Sequence, residues 1–244
     1  MSTRTFRIWR GDASGGRFVD YELETGEGMV VLDAVREIQR TQAKDLAVRW
    51  NCKAAKCGSC GSEINGRARL MCKTRLDRLP RDGPVVVEPL RSFPIVRDLV
   101  ADVSWNYEVN KRIPPFTPKP DAEWLIGQDD VDRISEFRKC IECFLCQDVC
   151  HVLREHALHG RYFGPRFMAR IASLEMHPLD ALDRTGLLED GAGLRFCNIT
   201  KCCGEVCPEG VRITDDAIIP LKERVADRHH DPLLKLIRGL PRGR

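Results

Sequence analysis

The stretch Cys140–Ile–Glu–Cys143–Phe–Leu–Cys146–Gln–Asp–Val–Cys150 carries four of the chain's twelve cysteines. Three fall at intervals of three, and the fourth follows after three further residues. This is the spacing with which a backbone wraps a cubane iron–sulfur cluster: three thiolates hold one cluster and the fourth ligates another. Two requirements follow. A distant cysteine must complete the first cluster, and other cysteines must build a second around Cys150.

The remaining cysteines meet both requirements. Cys207 is followed by Pro208, the Cys-Pro ending of such a run. Counting back from it gives Cys203, then Thr200 where the run requires a cysteine, then Cys197. Cys140, Cys143, Cys146 and Cys207 are thus the ligands expected for a [4Fe–4S] cluster. Cys150, Cys197 and Cys203 remain, three thiolates with one corner missing, as in a [3Fe–4S] cluster. The Thr200 hydroxyl is a poor iron ligand. Cys202 has two readings: a buried free thiol, or the missing corner of a second [4Fe–4S] cluster. A further group, Cys52–x4–Cys57–x2–Cys60 with Cys72 downstream, has the plant-type spacing for a [2Fe–2S] cluster. Around it, Gly58 and Gly61 permit close backbone approach and positive φ, and Lys53 and Lys56 offset thiolate charge.

Composition excludes the main competitors. Disulfides belong to oxidising compartments, and the N-terminal Met1–Ser–Thr–Arg–Thr–Phe–Arg has no apolar signal region. Zinc sites pair their cysteines in closed sets of four, which these runs do not. The 244 residues are 43% hydrophobic and 31% charged, suited to a cored, water-facing protein, and no apolar run is long enough to span a bilayer. A net charge of +3 is too small to argue for nucleic acid.

The first hundred residues read as mixed β and α. Strands are expected at residues 5–9 and 17–23 around a Gly-rich turn, and a helix at 30–40 with apolar Val31, Leu32, Val35 and Ile38. Asn65–Gly66 marks a hairpin, and Val85–Val86–Val87 a last strand. The sum is a small mixed sheet clasping one helix. Residues 94–109 read as helix, and the proline-rich 113–120 as a stiff linker. Beyond it helical patterns dominate, at 131–139, 147–156, 166–174, 179–184 and 215–228, with starts at Gly164–Pro165 and His177–Pro178. Residues 224–244 read as a basic, solvated tail.

A plant-type [2Fe–2S] region followed by a bacterial-ferredoxin-like region with a crippled second run resembles the iron–sulfur subunit of the succinate dehydrogenase/fumarate reductase family. Asn65–Gly66–x3–Leu70–Met–Cys72–Lys73–Thr74, Phe163–Gly164–Pro165 and Met176–His177–Pro178 are similar to segments of that family. The resemblance implies an α+β fold: an N-terminal β-grasp ferredoxin domain over residues 1–105, and an all-α bacterial-ferredoxin-like domain over 106–244. It implies an FAD-containing flavoprotein partner and a membrane anchor that binds quinone. The chain would then be peripheral, on the cytoplasmic face of a bacterial inner membrane. Electrons would run from flavin through the three clusters to quinone, or in reverse for fumarate reduction. No acid, base or nucleophile is needed in this chain. Where the family carries proline and then tryptophans beside the quinone, Cys150 is followed by His151, and Cys197 by Asn198 rather than histidine. His151 and Asn198 are therefore candidate residues at the quinone end, while His156 and His159 read as exposed helix histidines.

Two rivals remain on sequence grounds. Cys202–Cys203–Gly204 is similar to the Cys-Cys-Gly motif of heterodisulfide-reductase-like or glycolate-oxidase-like electron-transfer subunits, but that motif works with further cysteines tens of residues away on both sides, whereas here Cys207 follows at once and no cysteine comes after it. A zinc-dependent interaction module predicts a colourless protein, whereas clusters predict a brown one.

Overall fold

The structure, a computed structural model, describes residues 2–231. The tail expected at 224–244 lies largely outside the described residues. Strands β1 (Ser2–Asp12) and β2 (Gly15–Thr25) form an antiparallel hairpin in unbroken register from Ser2↔Thr25 to Asp12↔Gly15. It is longer than residues 5–9 and 17–23. At the added open end Thr25 Oγ1 donates to the Ser2 carbonyl at 2.8 Å, and polar cross-strand pairs such as Arg7 on Asp20 at 2.8 Å and Thr5 on Glu22 at 2.6 Å line the exposed face. Phe6, Ile8 and Tyr21 face inward.

Helix α1 (Val31–Thr41) buries Val31, Leu32, Val35 and Ile38, the expected stripe. Strands β3 (Gly61–Ile64) and β4 (Arg67–Leu70) are joined by Asn65–Gly66, with φ of 49° and 70°, the two positive values a type I′ turn demands. Strand β5 (Val85–Glu88) runs parallel to β1 and antiparallel to β3, giving the order β2-β1-β5-β3-β4.

Residues 94–109 are not one helix. They form a second small hairpin, β6 (Ile95–Arg97) and β7 (Val100–Ala101), then α2 (Ser104–Lys111). Asp98 forces the turn. It takes φ 48°, and its buried carboxylate accepts the N–H groups of Gly11 at 3.0 Å and Ala47 at 2.8 Å, with Arg10 Nε at 3.0 Å. Three long-range donors on one side chain override a local helical rhythm.

The second half is helical: α3 (Gln128–Arg138), α4 (Leu145–Asp148), α5 (His151–Arg154), α6 (Pro165–Glu175), α7 (Cys202–Glu205) and α8 (Ile219–His230). The helix expected over 147–156 is broken at Cys150, whose φ −69° and ψ 109° are extended. The one expected over 215–228 starts as a π-turn, Ile213–Ile218, before α8. Residues 179–184 are not helical, and His177–Pro178 starts no helix. Instead Asp180 bridges to Pro118, and buried Arg184 donates to Asp180 at 2.9 Å and to the Pro115 carbonyl at 2.7 Å. The side chain of Arg184 therefore anchors the proline-rich segment.

The two halves meet on a buried polar knot. Glu63 of β3 and Asp148 of α4 are both fully buried. Arg154 Nη2 lies 2.6 Å from Glu63 Oε1, and Arg91 Nε 3.0 Å from Oε2. Ser92 donates its N–H to Asp148 at 3.0 Å. Burial pushes both carboxyls up, and the Asp148 charge adds to the rise at Glu63, against the pull of Arg154 and Arg91. A carboxyl with a raised folded pKa keeps its proton in the native state where the unfolded chain has lost it. Its contribution to stability is therefore present at low pH and lost as pH climbs from the unfolded value, about 4.3, towards neutrality. Glu63→Gln, always neutral, is expected to flatten that decline. Denaturant unfolding of both proteins at pH 5.5 and pH 8 measures it, and an equal decline in both would contradict the assignment.

Candidate metal centres

The three cysteine groups lie in loops built on one backbone device. In the first loop Lys53 and Ala55 take φ 55° each and Gly58 φ 69°; in the second, Glu142 and Phe144 take 54° and 60°; in the third, Ile199 and Lys201 take 63° each. Alternate left-handed residues turn successive N–H groups towards a common centre, the arrangement that cradles anions and iron–sulfur sites. For side-chain-bearing residues, and above all β-branched Ile199, the conformation is strained. The expected glycine at positive φ is Gly58; Gly61 instead opens β3 and brings its backbone against Leu145, where a Cβ would lie 3.2 Å from the side chain.

In the first loop the N–H groups of Ala54 and Lys56 each reach Cys52 Sγ at 3.3 Å. Burial works against the Cys57 thiolate, but hydrogen bonds from Ser59 and from the Cys52 N–H outweigh it and bring the thiol down to about 6. Cys60 is buried and beside Cys72, and is pushed up to about 12. Lys53 lies 4.0 Å from Asp33, and Lys56 lies 3.5 Å from Glu209 across the molecule.

In the second, Cys140, Cys143, Cys146 and Cys207 line a single apolar cavity, with Arg166 at its wall. Burial raises Cys143 to about 12 and raises Cys140 and Cys146 as well. Val211 donates its N–H to Cys207 Sγ at 3.3 Å. Arg166 pairs with Glu142 at 2.5 Å, yet its Nε is buried without a partner. Four cysteines lining one apolar cavity, beside a guanidinium whose Nε lacks a partner, fit an anionic iron–sulfur cluster, since thiols of this kind ionise when iron binds them.

In the third, Cys150, Cys203 and Cys197 are close neighbours. Burial raises Cys150 to about 12 and Cys203 to about 11, each further lifted by adjacent thiols. Thr214 Oγ1, on the π-turn, lies 3.3 Å from Cys203 Sγ. Cys202 is half-buried beside Cys150 and Cys203, with its sulfur 3.4 Å from Thr200 Oγ1. Tyr162 is fully buried, and its hydroxyl has no hydrogen-bond partner. Neither Tyr162 nor Thr214 was legible as a site residue, because neither belongs to a cysteine run or carries a motif of its own.

His151 is half-buried at the start of α5, edge-on to His156 at 6.3 Å, and Asn198 is exposed. His159 is not an exposed helix histidine. Its ring stands edge-on to Trp105 at 4.7 Å, and its Nε2 is buried.

The first two loops touch. A Cβ placed on Gly58 would lie 2.5 Å from Cys143 Cα and 2.9 Å from its nitrogen. Lys73, next to Cys72, donates to the Pro208 carbonyl, next to Cys207, at 2.5 Å.

Comparison with known proteins finds iron–sulfur domains in both halves of the chain. Residues 5–108 match the model of a 2Fe-2S iron-sulfur cluster binding domain, and residues 136–211 that of a 4Fe-4S dicluster domain. The fumarate reductase iron-sulfur subunit of Mycobacterium tuberculosis is 34% identical over 81% of this chain and 82% of its own. The chain belongs to the iron–sulfur subunit family of succinate dehydrogenases and fumarate reductases. Another relative in that family, the succinate dehydrogenase iron-sulfur subunit of Paracoccus denitrificans, is 29% identical over 93% of this chain and 90% of its own. Among solved structures, a chain of the Mycobacterium smegmatis Sdh1 complex in the apo form is 57% identical with a TM-score of 0.91, covering 95% of this chain and 98% of that one. Two longer methanogen relatives are spanned over only 41% and 46% of their length.

Two outcomes follow for this family member. In the cluster-free chain, Cys57 is expected to alkylate readily down to about pH 6, while buried Cys146 resists; mass spectrometry of iodoacetamide adducts against pH measures the order. Gly58→Ala is expected to destabilise the cluster-loaded protein by about 2 kcal/mol, from the left-handed φ and the backbone clash together. Denaturant unfolding followed by visible absorbance checks it.

Proposed function

We propose that this chain is the electron-transfer subunit of a succinate:quinone oxidoreductase. Cys52, Cys57, Cys60 and Cys72 would hold a [2Fe–2S] cluster, Cys140, Cys143, Cys146 and Cys207 a [4Fe–4S] cluster, and Cys150, Cys197 and Cys203 a [3Fe–4S] cluster. Residues 1–105 would carry the first, and 106–244 the other two. The observation that carries the reading is the gathering of Cys140, Cys143, Cys146 and Cys207 around one apolar cavity, with the three cysteine loops sharing left-handed backbone geometry and two of them in contact at Gly58 and Cys143.

When bound, the clusters supply one-electron steps between a two-electron donor and a quinone. The chain's own residues do the rest. They fix spacing through the Gly58 contact, the Lys73–Pro208 hydrogen bond and the Lys56–Glu209 pair. They exclude water, since Cys146, Cys150 and Cys203 are buried. They supply N–H donors and the Arg166 charge, which tune potential through hydrogen bonds and local charge. The partners in this reading are an FAD flavoprotein, beside the exposed Cys52 loop, and a quinone-binding membrane anchor beside the third centre, where His151 and exposed Asn198 would border the quinone. No helix among the described residues is long and apolar enough to cross a membrane. In this reading the anchor would hold the chain at the cytoplasmic face of a bacterial inner membrane. The same order of centres serves fumarate reduction in reverse.

The test is at the missing corner. Thr200→Cys supplies a thiolate where the run requires one, and is expected to replace the oxidised-state [3Fe–4S] paramagnetic signal with a reduced-state [4Fe–4S] signal. Cys202→Ala is expected to leave the [3Fe–4S] signal intact. Loss of that signal in Cys202→Ala, or its absence from the unaltered complex, would overturn the ligand set.

A further inference from the structure

Tyr162 is among the largest fully buried side chains, 1% exposed, and its hydroxyl has no partner. A buried unpaired hydroxyl is costly, roughly 1–3 kcal/mol, and native structures rarely keep one without a group to receive it. Its surroundings name that group. Burial first, and then neighbouring Cys197, Cys150 and Cys203, make the hydroxyl hold its proton more tightly, with the Cys197 sulfur the nearest acceptor although no well-aligned hydrogen bond is formed. These are the three sulfurs assigned to the terminal cluster. Tyr162 is also held in place. Phe163 donates its N–H to the Ala192 carbonyl at 3.1 Å, and a Cβ on Gly193 would fall 1.9 Å from the Arg161 carbonyl. Arg161 in turn covers the Phe196 ring at 4.7 Å, so the segment bearing Tyr162 is fastened to the one leading into Cys197. From the other side, Thr214 Oγ1 reaches Cys203 Sγ at 3.3 Å from the π-turn, a backbone irregularity frequent at functional sites.

We propose that the Tyr162 hydroxyl donates a hydrogen bond to sulfur of the terminal cluster on its Cys197 side, and with Thr214 at Cys203 sets that cluster's reduction potential. The inference rests on the ligand set proposed above. A donor to cluster sulfur stabilises the reduced, more negative state more than the oxidised one, so it raises the potential. Tyr162 is a positioning and tuning residue; it moves no proton and contacts no substrate. Its effect is to make the terminal centre the favoured resting place of the electron before it leaves the chain.

The experiment is an EPR-monitored redox titration of the intact complex carrying Tyr162→Phe, which removes only the hydroxyl. The expected result is a fall in the midpoint of the oxidised-state [3Fe–4S] signal equivalent to about a tenfold change in its reduction equilibrium, about 59 mV for one electron. The midpoints of the other two clusters stay where they are. A [3Fe–4S] signal with unmoved midpoint overturns the proposal. Should the variant lose the cluster, Thr214→Val decides: assembled in D2O, its [3Fe–4S] signal is expected to keep a strongly coupled hydroxyl deuteron, the one on Tyr162, and absence of that coupling overturns the proposal. Failure of the ligand set is distinguishable, because then the unaltered complex shows no [3Fe–4S] signal at all.

Discussion

Gly58 and Cys143 share a space that admits backbone and nothing more. A methyl group on Gly58 would fall 2.5 Å from Cys143 Cα, and the left-handed φ of 69° already disfavours any other residue. The contact joins the first cluster loop to the second, and so the sheet-rich half to the helical half. The Lys73–Pro208 and Lys56–Glu209 contacts repeat the joint from Cys72 and from the other rim of the loop. The Glu63–Arg154 pair and the Ser92–Asp148 hydrogen bond fasten the same interface deeper in. The first two cluster loops are thus held by each other's half of the molecule, and the spacing between the first two centres is a property of the interface rather than of either half.

The loops themselves are poor structures without something to wrap. Each spends backbone strain on side-chain-bearing residues, Lys53 and Ala55, Glu142 and Phe144, Ile199 and Lys201. The second and third gather thiols that burial keeps protonated and leave polar atoms, Arg166 Nε and Tyr162 Oη, without partners. A cluster resolves all three penalties at once by ionising the thiols, accepting the donors and fixing the backbone. Cluster binding on this account stabilises the folded chain.

Much of this was legible in the cysteine spacing, because iron ligation constrains sequence as tightly as it constrains geometry. Cys207 could be paired with a run about sixty residues earlier from the Cys-Pro ending alone, and Asn65–Gly66 announced its turn because two positive φ values need those residue types. What could not be read was set by long-range partners. Asp98 ends a helical pattern by accepting donors from β1 and Ala47; Arg184 straightens a helical pattern by reaching back to Pro115; His159 looks exposed until Trp105 covers it. Tyr162 and Thr214 carry no local motif, and only the folded chain aims them at the third centre. The left-handed residues in the loops are equally silent, since lysine, glutamate and isoleucine give no sign of positive φ.

The central claim is that the interface holds the first two clusters at fixed short range. The direct measurement is pulsed EPR relaxation of the reduced [2Fe–2S] signal in the intact complex, recorded with the [4Fe–4S] cluster oxidised and then reduced. The account predicts markedly faster relaxation once the neighbour is paramagnetic. Relaxation that ignores the neighbour's redox state would contradict it.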